Sequence, residues 1–123
     1  MAISTLLDAC ARAFAMVSFA DGKLSPAEEH RFARFVAGDA AMKSVAQADV
    51  RAAWKQAVKD VKKSPSFGGP LVVIRTEVFS PADKATVMRA GQAAVVADNK
   101  LEPQESTAMR TLAEALGLDP EKF

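Results

Sequence analysis

The chain has 123 residues, half of them hydrophobic, and its 16 Lys+Arg against 15 Asp+Glu give a net charge of +1. A chain of this size folds as one ordinary domain, burying roughly two-thirds of its unfolded surface. Near-neutrality excludes the whole-protein electrostatic footprint of a dedicated nucleic-acid binder, and the single cysteine, Cys10, excludes an intramolecular disulfide and any cysteine-clustered zinc site.

The opening MAISTLLDACARAFAMVSFADG lacks a basic n-region and carries Asp8 and Arg12 inside its apolar stretch. It never reaches ~18 uninterrupted apolar residues, so the expectation is neither a signal peptide nor a membrane span, and a reduced, cytoplasmic compartment fits the lone thiol. Ile3, Leu6, Leu7, Cys10, Phe14 and Val17 recur at the spacing of one helical face. Ala13, Met16 and Ala20 widen that face, which predicts a central, largely buried helix ending near Asp21-Gly22.

Ser25-Pro26-Ala27-Glu28 is a helix start: a hydroxyl to cap free N–H groups, a proline suited to the first helical position, and a glutamate able to close a capping box. Phe32, Phe35 and Val36 form its buried stripe up to Gly38. After an Ala-rich segment, Asp49 is placed to cap a helix whose apolar positions are Val50, Ala53, Trp54, Ala57, Val58 and Val61, with Lys55, Lys59, Lys62 and Lys63 on its other face. Ser64 to Pro70 is the one dense breaker cluster and is read as a loop. Leu71 to Phe79 has strand-like composition but no partner strand elsewhere to take its backbone hydrogen bonds, so a helix is expected. Ser80-Pro81-Ala82-Asp83 repeats the start signal for a helix through Val87, Met88, Ala94, Val95 and Ala97, and Glu102-Pro103-Gln104-Glu105 opens the last one, with Met109, Leu112, Ala113 and Leu116 inside and Gly117 as its stop.

One stretch is written twice. ADGKLSPAEE, from Ala20 to Glu29, recurs 77 residues later as ADNKLEPQES, from Ala97 to Ser106. At the same offset Phe32 falls on Met109 and Phe35 on Leu112, so each unit reads as a helix, a tight turn and a second helix with one buried face. Gly22 faces Asn99, the two residue types that best tolerate the left-handed backbone found after a helix end. The prediction is an all-α single-domain bundle of about seven helices. Two pseudo-repeated helix-turn-helix units, about 3–37 and 80–117, are joined by a middle helical region with a loop at 64–70.

ADGKLSPAEE after an apolar helix, with a degenerate second copy near residue 100, resembles the tellurite-resistance TerB family, whose fold is shared by the N-terminal region of the DjlA co-chaperones. The resemblance spans essentially the whole chain. It implies an all-helical single domain, a role in bacterial stress or metal-oxyanion resistance, and acidic positions at the two turns that bind a divalent cation. Carried over, those positions are Asp21, Glu28 and Glu29 in the first copy and Asp98 and Glu105 in the second. Ser106 stands where the first copy has Glu29, so any metal sites need not be symmetric.

Elementary chemistry leaves two readings of these acids open. Asp21 and Asp98 belong at helix C-termini, where the backbone dipole disfavours a carboxylate by some tenths of a kcal/mol. A carboxylate placed there twice invites a hard cation, Ca²⁺, Mg²⁺ or Mn²⁺, which takes carboxylate, carbonyl and water oxygens. Alternatively Asp21 and Asp98 bond backbone N–H groups of their own turns, Glu28 and Glu105 close capping boxes, and Lys23 and Lys100 balance the charge. The motif is not an EF-hand, since the third loop position is Lys23 and the twelfth is Phe32.

Catalytic signals are missing: no Gly-rich phosphate loop, no HExxH and no nucleophile elbow. His30, the single histidine, reads as a surface helix residue, Cys10 as a small buried hydrophobe, and the lysine face as solvated, although it could touch acidic lipid, nucleic acid or a partner protein. The expectation is therefore a non-catalytic module that binds a divalent cation, protein partners or both through its acidic turns, with the membrane periphery as one meeting place. The alternative is a metal-independent, co-chaperone-type interaction domain that uses the lysine-bearing helix or an apolar groove.

Overall fold

The computed structural model describes residues 3–21, 26–63, 67–78, 80–97 and 103–119, with side chains described at 5–20, 26–63, 67–78, 80–95 and 106–119. Its elements in chain order are α1 (Ile3–Ser18), a 3-10 turn (Phe19–Asp21), α2 (Pro26–Gly38), α3 (Gln47–Lys63), α4 (Gly68–Glu77), α5 (Pro81–Ala97) and α6 (Pro103–Ala115). Among the described residues there are thus six α-helices, one 3-10 turn and no strand, where about seven helices were expected.

From Leu6 to Ser18 every side chain of α1 except Asp8 is buried. A helix that is apolar nearly all round must be enclosed by others, and α1 accordingly touches α2, α3, α4, α5 and α6. Phe14 on α1, Phe32 on α2 and Trp54 on α3 meet as one aromatic cluster. Phe14 approaches both others edge to face, with centroids 5.6 and 5.8 Å away, and Phe32 and Trp54 stack at 5.4 Å. Each such pair adds about 0.5–1.5 kcal/mol beyond its buried area, so the cluster fixes α2 and α3 against the central helix.

α2, α5 and α6 begin at their start signals, on Pro26, Pro81 and Pro103, and the starts of α3 and α4 depart from expectation. Ser80 caps α5 as expected, its Oγ accepting the Asp83 N–H at 3.1 Å. Gly117, at φ 73°, ends α6 as expected, with the Leu118 N–H donating to Ala113 O at 2.9 Å and the Gly117 N–H to Glu114 O at 3.0 Å, the paired bonds of a Schellman motif. By contrast, α3 opens at Gln47, so Asp49 is its third residue and not its cap. The Asp49 and Val50 N–H groups both bond Ala46 O, and the Asp49 carboxylate faces the favourable end of the helix dipole.

The breaker cluster is also shorter than its composition suggested. Gly68, Gly69 and Pro70 form the first turn of α4, and the left-handed residue is Phe67, at φ 63°. A proline is accepted there because first-turn N–H groups have no intrahelical partner. Pro70 is buried and Phe67 packs against the core, so apolar burial places both residues.

α2 and α6 each have 13 residues, and each begins on a proline, Pro26 and Pro103, 77 residues apart. The turns at 22–25 and 98–102 lie outside the described residues. α6 docks closely on α5: a Cβ added at Gly91 would lie 2.8 Å from Met109 Sδ and 2.9 Å from Leu112 Cδ2.

Candidate functional site: the first acidic turn and the cleft between α2 and α3

Of the five acidic residues singled out, the structure describes the side chains of Glu28 and Glu29. Asp21 closes the 3-10 turn and Glu105 lies in the first turn of α6, but both side chains, and the whole of Asp98, lie outside the described residues. Glu28 is buried. Its Oε2 accepts the Ser18 hydroxyl at 3.3 Å, and its Oε1 pairs with Arg31 Nη1 at 3.2 Å. The first turn of α2 is thereby bonded to the end of α1, and the negative charge of Glu28 is matched within the domain.

Glu29 points elsewhere. Consecutive residues on an α-helix are about 100° apart, and Glu29 is half-buried toward α3, where it lines two adjoining hollows. One, of about 370 Å³, is bounded by His30, Ala33, Val45, Val50 and Arg51; the other, of about 380 Å³, by Pro26, Trp54, Lys55, Val58 and Lys59. The structure therefore does not bring Glu28 and Glu29 together as a pair. Among the described residues, no group of three or more His, Cys, Asp or Glu side chains is placed to hold a metal ion.

Among the described residues two ion pairs tie one element to another, and neither is legible in the sequence. Arg12, almost fully buried on α1, reaches Asp60 of α3 at 2.6 Å and also donates to Asp8 O at 3.2 Å. Its place inside an apolar run was the available signal, since a buried guanidinium needs an anion. Asp39 follows the end of α2. It accepts Arg89 Nε at 3.0 Å and Nη2 at 3.3 Å, and caps its own turn by accepting the Ala41 N–H at 3.0 Å. Burial acts to raise the Asp39 carboxyl, but the Arg89 bonds and the Ala41 N–H outweigh it and hold the pKa below the ordinary carboxylate value. At Asp8 partial burial dominates and raises the pKa, with Arg12 opposing it and Glu77 adding to it.

Cys10 is fully buried. Burial, reinforced by the nearby Asp39 charge, pushes its thiol far above the ordinary value, which removes the thiolate needed for reactivity. His30 is exposed on α2, as expected of a surface residue. Arg12, Asp60, Asp39, Arg89 and Glu28 are thus engaged within the fold, and Glu29 lines the α2–α3 cleft. No described helix is long and apolar enough to cross a membrane.

Neither the curated proteins nor the solved structures contain a match to this chain. The family model described as tellurite resistance protein TerB matches residues 7–123, nearly the whole chain. An all-helical architecture around one central buried helix accompanies that match, and the chain belongs to the TerB family.

Proposed function

We propose that this chain is a non-catalytic binding module of a bacterial tellurite- or stress-resistance system, working in the cytoplasm through its acidic turns. The observation that carries this reading is the TerB match across residues 7–123. Asp21, Glu28 and Glu29, with Asp98 and Glu105, supply the carboxylate chemistry a hard divalent cation takes. A basic partner protein would be drawn by the same charges.

Of those two ligands, one observation favours the protein. Glu28 already bonds Ser18 and Arg31, so recruiting it to a cation would cost the hydrogen bond that joins α2 to α1 and the ion pair with Arg31 within α2. Under this second reading the module is metal-independent, and Glu28 serves structure.

Thermal unfolding of chelator-stripped protein with Ca²⁺, Mg²⁺ or Mn²⁺ separates the two. An ion at ~100 times its dissociation constant adds about 2.7 kcal/mol, a shift of several degrees for a domain of this size. A shift that disappears in the Asp21→Ala, Asp98→Ala double variant supports the cation reading, and no shift with any ion supports metal-independent protein binding.

A further inference from the structure

We propose that the cleft between α2 and α3 is the docking site for an acidic amphipathic helix of a partner protein. This deepens the reading of the chain as a protein-binding module, and rests on it, by naming a surface and a partner chemistry separate from the acidic turns.

Along the side of α3 that faces the cleft run two parallel rows at four-residue spacing. Buried Val50 and Trp54 and half-buried Val58 form the floor of the cleft, and exposed Arg51, Lys55 and Lys59 form its rim. On the facing wall α2 presents Ala33 and Ala37, whose small side chains leave room between the helices. The two hollows, about 370 and 380 Å³, lie on either side of Glu29. Val50 to Val58 spans about 12 Å at 1.5 Å per residue, the reach of the i, i+3/i+4, i+7 anchors by which an amphipathic helix lies in a groove.

Charge decides the chemistry of the occupant. Lys43, Arg51, Lys55 and Lys59 surround the hollows, and none has an ion-pair partner among the described residues. Against them stands one carboxylate, Glu29, likewise unpaired among the described residues. The complement is a helix whose apolar stripe is flanked by Asp and Glu, with one Lys or Arg at its middle to meet Glu29. A lipid surface or a nucleic-acid backbone would satisfy the cations, but it would leave the apolar hollows unfilled and press phosphate against Glu29.

The test is a selection on the full chain from a displayed library of helical peptides about 18 residues long, five turns. Enriched peptides are then titrated against emission from Trp54, the single tryptophan, which lies in the cleft floor. The expected result is enrichment of acid-flanked apolar stripes, with binding weakened about tenfold or more by Lys55→Glu, Lys59→Glu and restored when the peptide acids become lysines. Both lysines are exposed, so the variant folds, and its circular dichroism checks this.

Neutral peptides, binding indifferent to the charge reversal, or no enrichment would overturn the proposal. Phosphatidylglycerol–phosphatidylcholine vesicles and a short DNA duplex run in parallel. Charge-reversal-sensitive binding to either, with no peptide bound, overturns it in favour of lipid or nucleic acid. Basic peptides lost on Asp21→Ala, Asp98→Ala would overturn the cleft while leaving the acidic-turn reading intact.

Discussion

Asp39, in the turn after α2, and Arg89, on α5, lie 50 residues apart and are joined by a two-pronged contact of 3.0 and 3.3 Å. Arg89 Nη2 also donates to Thr86 Oγ1 at 2.9 Å, which fixes the guanidinium before it meets the carboxylate. The pair ties the chain that leads into α3, and so one end of the cleft, to a helix on another side of the core.

Asp39 binds a proton less readily folded than unfolded, so its contribution to stability is present above about pH 4 and is lost as pH falls through the folded-state pKa. Asp8 has the opposite sign: its raised pKa makes the charged form a penalty above that pKa, removed as pH falls. Urea unfolding at neutral pH should therefore show Asp39→Asn destabilised by about 1 kcal/mol, a modest figure because the Arg89 side chain is 48% exposed, and Asp8→Asn stabilised. Both differences should shrink toward pH 3.

The buried Arg12 should behave differently from Arg89. Asp60→Ala strands a guanidinium whose side chain is 8% exposed, at a cost of about 3 kcal/mol. Arg12→Met with Asp60→Ala removes both charges, and should lose less than Asp60→Ala alone. A double-mutant cycle by chemical denaturation measures the difference.

At Gly91 two effects compete. Alanine gains about 1 kcal/mol in helix propensity, while its methyl would meet Met109 Sδ at 2.8 Å and the buried Leu112 Cδ2 at 2.9 Å. Overpacking costs about 1–3 kcal/mol. Gly91→Ala should be net destabilising by about 1 kcal/mol and Gly91→Val by more, and Leu112→Ala in the Gly91→Ala background should cost less than in the parent, as thermal unfolding would show.

Cys10 should be inert in the folded protein. With no exposed surface and a strongly raised pKa, its thiol should react with a disulfide reagent only as fast as the chain opens. In denaturant one thiol per chain should react at once, because Cys10 is the single cysteine.

Local signals sufficed for much of this protein. The three-and-four spacing from Ile3 to Val17 encodes the central helix, Ser80-Pro81 and Gly117 mark helix ends by capping chemistry, and ADGKLSPAEE with its second copy points to the TerB family, whose model matches residues 7–123. These depend on neighbours within a few residues, so they are written in the chain itself. Tertiary structure decided what periodicity cannot express. Phe67 takes the left-handed conformation although two glycines follow it, because burial of Phe67 and Pro70 starts α4 early. Glu28 and Glu29 look alike in sequence, yet 100° of helix turns one toward Ser18 and Arg31 and the other into the cleft. Arg12 meets Asp60, and Asp39 meets Arg89, across 48 and 50 residues, because the buried members of these pairs, Arg12 and Asp39, must find an opposite charge wherever packing brings one.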